Sequence, residues 1–90
     1  MFKFELNKEK SDKTFQIYEC EIEDTRLTII KWTTMSVFVK RQIYDEVHTY
    51  LGYIEIADHT PTKFTDAKRL AEKMYEIVLW YKPLQLWKEQ

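Results

Sequence analysis

Ninety residues, 44 % of them hydrophobic and 32 % charged, suit one folded domain with one modest core and exclude a disordered chain. The net charge of −1 gives the whole molecule no pull on nucleic acid, and the lone Cys20 excludes an intramolecular disulfide. No stretch approaches the ~20 apolar residues of a membrane span, and the opening MFKFELNKEK has no apolar run of signal-peptide length, so a cytoplasmic protein with no membrane partner is expected.

Residues 2–6 (FKFEL) alternate, with Phe2, Phe4 and Leu6 on one face, and read as a half-buried strand. Residues 7–13 (NKEKSDK) hold no apolar side chain and read as a mobile loop. Residues 14–23 read as a second strand with a conflict of phase. Phe15 and Ile17 share one face, while Tyr18, Cys20 and Ile22 share the other, and a bulge near 17 and 18 would reconcile them. A third strand is expected over 26–32 (RLTIIKW), after a tight turn at Asp24-Thr25 that sets Ile22 opposite Leu27 and Cys20 opposite Ile29. Strands over 36–44 and 49–56 follow, joined by a hairpin loop at DEVH, residues 45–48.

The clearest periodicity lies in 65–81. Ala67, Leu70, Ala71, Met74, Ile77, Val78 and Tyr81 form one stripe of an amphipathic helix. Thr65 is the expected N-cap, Asp66 suits the positive helix start, and Pro83 stops the helix near Lys82. Such a helix is about 25 Å long and an eight-residue strand about 26 Å, so the helix fits across the sheet. The expected fold is α+β: an antiparallel meander of four to five strands with one C-terminal amphipathic helix packed on one face. The tail 83–90 is expected to dock on the helix end or add a short edge strand.

Few chemistries survive inspection. His48 and His59 flank the strand 49–56, up to roughly 35 Å apart if it is extended, whereas ligand nitrogens lie within ~2.1 Å of a metal. No metal and no cofactor are therefore assigned. Cys20 falls mid-strand between Tyr18 and Ile22, where a free cysteine is usually a small buried hydrophobe, and Glu19 and Glu21 disfavour its thiolate. Ser11 and Ser36 lie in no nucleophile-elbow motif, and a single glycine, Gly52, cannot build a phosphate-cradling loop. No catalytic residue is assigned.

The leading expectation is a non-enzymatic protein-binding module, an inhibitor that occludes the surface of an unidentified protein partner. Trp80, Trp87, Phe64, Tyr75 and Leu86 are the candidate contact residues, because tryptophan and tyrosine are over-represented among interface anchors. The same apolar patch would serve a homodimer. A single-stranded nucleic-acid-binding protein using Lys31, Trp32, Phe38, Lys40 and Arg41 is the alternative, weakened by the glutamate stripe 19, 21 and 23. An unrecognised small enzyme is the third reading. Gly, Ala, Arg and Pro total nine residues against thirty Lys, Ile, Tyr and Phe. That bias suggests an AT-rich genome, such as a phage, a mobile element or a low-GC bacterium, and with it a phage or mobile-element accessory protein, although the single Asn7 points the other way.

Overall fold

The structure is a computed structural model that describes residues 2–81. The expected tail 83–90, with Leu86 and Trp87, lies outside the described residues. Five antiparallel strands run in chain order across one sheet, β1 (Glu5–Leu6), β2 (Gln16–Ile22), β3 (Thr25–Lys31), β4 (Met35–Tyr44) and β5 (Tyr50–Asp58). One helix, α1 (Phe64–Leu79), covers one face and packs mainly over β4 and β3. This is the expected α+β meander, with neighbouring strands joined by short connections.

The core lies between the central strands and the helix. Leu27, Ile29, Val37 and Val39 are completely buried, as are Ala67, Ala71 and Val78 above them, with Met74 nearly so. Alternation along β3 and β4 sends these side chains to one face, and the two alanines let the helix backbone approach the sheet closely. Each buried Leu, Ile or Val contributes about 1.5–3 kcal/mol of transfer free energy. The buried stripe is narrower than the periodicity suggests, because its centre line runs through 67, 71, 74 and 78. Ile77, one position before Val78, is rotated about 100° away from it and is 59 % exposed.

Several local expectations are corrected. The β2–β3 turn is centred on Glu23-Asp24, not Asp24-Thr25, so Ile22 faces Thr25 and Cys20 faces Leu27. Glu23 adopts φ 54° to close it. Strand β2 has no bulge. Its register with β3 is continuous from Gln16 to Ile22, which leaves Ile17 opposite Ile30 on the uncovered face. The helix begins at Phe64 after an extended Lys63, and no side chain caps it, so Thr65 sits inside the first turn. Phe64 stacks on Tyr18 with ring centroids 4.7 Å apart, a contact that fixes the chain before Thr65 is reached. The helix ends at Leu79, two residues earlier than the periodicity suggests.

Residues 7–13 form the expected loop, and hydrogen bonds tie it to β2. The Ser11 hydroxyl donates to the Asn7 carbonyl at 2.6 Å and accepts from the Ile17 N–H at 2.9 Å. The Asn7 side-chain amide donates to Glu19 at 2.8 Å. With the nearby Lys10 ammonium and after opposition from partial burial, this bond holds the Glu19 carboxyl below the usual carboxylate range.

Candidate binding surface

The face of the sheet away from α1 is uncovered. Register places Ile17, Ile30, Phe38 and Ala57 on it, alternating with Glu19, Glu21, Arg26, Lys40 and Glu55. Glu21, Arg26, Lys40 and Glu55 form one row across four strands, and Arg26 donates through Nε to Glu21 at 2.9 Å. Lys40 instead sits over the Tyr53 ring, 4.0 Å from its centroid. Two open hollows of about 330 and 270 Å³ adjoin this row, and both are bordered by Arg26 and Lys40.

The sheet does not end together at this side. The last register pair between β3 and β4 is Thr25 with Arg41, and the Gln42 N–H then donates to the Asp24 carbonyl at 3.0 Å. Beyond that point β4 and β5 continue alone as a two-stranded arm from Ile43 to Gly52. The arm's tip is tied by Asp45, whose carboxylate accepts the N–H groups of Val47 at 2.9 Å and Thr49 at 2.8 Å. The Asp45 N–H donates to the Thr49 carbonyl, and His48 takes φ 64° within the loop.

This arm concentrates the exposed apolar surface. Among the described residues ten large hydrophobic side chains are exposed, and Tyr44, Val47, Tyr50, Leu51 and Tyr53 all lie on the arm or at its base. Tyr44 and Tyr50 meet edge to face at 5.7 Å, and Val47 at the tip is 77 % exposed. Scattered exposed hydrophobics are normal on a protein surface, whereas a contiguous group marks an interaction site. The sequence signal was the run YDEVHTYLGY, whose tyrosines read equally well as strand residues facing a core.

The structure separates the residues singled out for partner binding. Phe64 and Tyr75 are half-buried and engaged inside the molecule, Phe64 on Tyr18 and Tyr75 edge-on to Phe2 at 5.0 Å. Trp80 stands exposed beside Ile77 and Leu79 at the helix end. Trp87 and Leu86 are outside the described residues.

The nucleic-acid set is also divided. Phe38 and Lys40 lie on the uncovered face, while Trp32 is exposed in the β3–β4 turn. Lys31 and Arg41 share the helix-covered side of the sheet by register. Arg41 is committed there, donating from Nη1 to the carbonyls of Val78 at 2.9 Å and Leu79 at 3.2 Å. Glu5, Glu19, Glu21 and Glu55 share the uncovered face with Arg26 and Lys40, so that face does not present a basic track.

His48 and His59 stand at opposite ends of β5, and Cys20 is buried in the core. The His59 ring is hydrogen-bonded through Nδ1 to the Ser36 hydroxyl at 2.8 Å and lies edge-on to Phe38. Among the described residues no three His, Cys, Asp or Glu side chains gather as metal ligands, and no helix is long and apolar enough to cross a membrane. Comparison with protein-family models, curated proteins and solved structures finds no match to this chain.

Proposed function

We propose that the chain is a non-enzymatic protein-binding module that acts by covering part of a partner protein's surface, with the β4–β5 arm as its principal contact. The observation that carries this reading is the gathering of Tyr44, Val47, Tyr50, Leu51 and Tyr53 on a projecting hairpin whose tip is fixed by Asp45. Tyrosine side chains have few rotatable bonds to freeze on docking, and aromatic residues are enriched at interface cores. Trp80 with Ile77 and Leu79 offers a second, smaller contact on the helix-covered side, at the end of α1 that Arg41 ties to the sheet near the base of the arm. The bias toward Lys, Ile, Tyr and Phe is in keeping with an AT-rich genome such as that of a phage, a mobile element or a low-GC bacterium, and an accessory or inhibitory role there is part of the same proposal.

The test is affinity capture from the native host with wild-type chain, a Val47→Asp/Tyr50→Ser variant and a Trp80→Ser variant, each shown by circular dichroism to be folded. Proteins captured by the wild type should be lost with the arm variant and retained with Trp80→Ser. Capture that ignores the arm substitutions would remove the arm from consideration. The nucleic-acid reading predicts a low-salt shift of a labelled single strand that weakens steeply with salt. The glutamates of the uncovered face predict no such shift.

A further inference from the structure

We infer that β5 is a self-pairing edge, through which two copies of the chain join antiparallel into one continuous sheet about a two-fold axis at Ile54. This goes beyond protein binding by the arm and stands on different observations. The two edges of the sheet are unequal. Strand β1 is two residues long, whereas β5 runs for nine and α1 packs chiefly over β4 and β3. A sheet edge carries unpaired N–H and C=O groups, and proteins blunt it with lysine, proline, bulges, shortness or a covering element. Strand β5 contains no lysine and no proline. Its one irregularity falls where Ile43 pairs with Gly52 but Tyr44 with Tyr50, so Gly52–Asp58 runs in unbroken register.

Symmetry and charge then select the register. An antiparallel pair of identical edges needs a two-fold axis perpendicular to the sheet, so both helices lie on the same side and one residue faces its own copy. A centre at Glu55 sets two glutamates directly opposite, which is destabilising. A centre at Ile56 sets Asp58 against Ile54, and a centre at Tyr53 sets the Glu55 carboxylate against Leu51. The centre at Ile54 places Tyr53 opposite Glu55, where a phenol hydroxyl can donate to a carboxylate.

The same register sets Gly52 opposite Ile56. No atom lies within 4 Å of where a Cβ at Gly52 would sit, so the isoleucine of the second copy has room. On the helix side Ile54, half-buried at the edge of the core, gains its own copy as a neighbour, and the half-buried Ile56 gains Ile54 of the second copy diagonally across Gly52. The assembly leaves the two arms at opposite ends. Seven residues separate Ile54 from Val47 on each copy, so the tips stand roughly 46 Å apart at ~3.3 Å per residue.

Sedimentation equilibrium and hydrogen exchange over a dilution series test this on the full chain. The expected result is association toward twice 11.1 kDa, with alternate β5 amides protected in the dimer and exchanging freely on dilution. Ile54→Lys places two ammonium groups at the axis and should weaken the dimer by about tenfold or more. Val47→Asp should leave the association unchanged, which separates this edge from the arm's own contact. A chain that stays monomeric at every concentration, or a dimer in which no β5 amide gains protection, would overturn the inference. The wild-type exchange experiment decides the matter even if Ile54→Lys fails to fold.

Discussion

Arg41 is the residue whose loss should reveal how the sheet and helix are locked together. It extends from β4 on the covered side, and its Nη1 donates to the Val78 and Leu79 carbonyls in the last turn of α1. The Val78 carbonyl accepts one backbone N–H, from Tyr81 at 3.3 Å, and the last turn of α1 contains no basic residue of its own. Arg41 therefore supplies from the sheet both the hydrogen bonds and the positive charge that favour a helix C-terminus. A hydrogen bond to a charged group contributes about 1.5–3 kcal/mol, and the dipole interaction about 0.3–1 kcal/mol. Both bonds come from the single Nη1 nitrogen, and the Arg41 side chain is 24 % exposed, so we expect Arg41→Met to cost about 2 kcal/mol. In a domain of this size that lowers Tm by roughly 8–16 °C. Arg41→Lys keeps the charge but loses the guanidinium fork and should cost about 1 kcal/mol. Asp24 lies 3.7 Å from Nε, too far for a hydrogen bond, and a pair this long and partly exposed contributes about 0.5 kcal/mol, the expected effect of Asp24→Asn. Urea unfolding followed at 222 nm measures all three. A stability of Arg41→Met within about 0.5 kcal/mol of wild type would refute the reasoning, since that is the range of ordinary surface substitutions.

Leu27→Ala, in the fully buried layer under α1, should cost about 2.7–5 kcal/mol by calorimetry, enough to unfold most of a marginal domain. Glu23→Gly should raise stability by up to about 1 kcal/mol in urea unfolding, because the left-handed conformation costs a side-chain-bearing residue about 1–2 kcal/mol and glycine's extra unfolded-state entropy offsets only part of that. At Gly52 the space is open but φ is 136°, so Gly52→Ala should cost about 1–3 kcal/mol by the same measurement. The folded-state pKa of Glu19 is depressed, so its stabilising share is complete above the unfolded glutamate pKa of about 4.3 and is lost as pH falls through the lower folded value. Asn7→Ala removes the chief cause, and NMR titration should then place Glu19 closer to the ordinary range, with a shallower fall of stability in acid.

The helix and the two central strands were legible because burial writes a period. Leu27, Ile29, Val37 and Val39 alternate, while Ala67, Ala71, Met74 and Val78 recur at helical spacing, and each pattern serves one face. The misreadings fall where apolar residues serve something other than the core. Ile17 and Phe15 suggested a bulge in β2 only because an isoleucine on the uncovered face was taken as evidence of burial. Ile77 extended the apparent helix stripe for the same reason. Gly52 borders the register irregularity of β5 and has open space beside it, which a lone glycine in a strand sequence does not reveal. Arg41 looked like a free cation for phosphate because a strand sequence alone does not say which helix ends beside it.

By itself the sequence determined the strand and helix periods, the antiparallel order imposed by short connections, and the absence of any recognisable catalytic motif. These depend on neighbours in the chain, or on which residue types are present at all. The tertiary structure decided how far β4 and β5 outrun β3, which face of the sheet stays bare, and which tyrosines end on a projecting arm. Those outcomes depend on register across strands, where a shift of one residue exchanges the buried face for the exposed one.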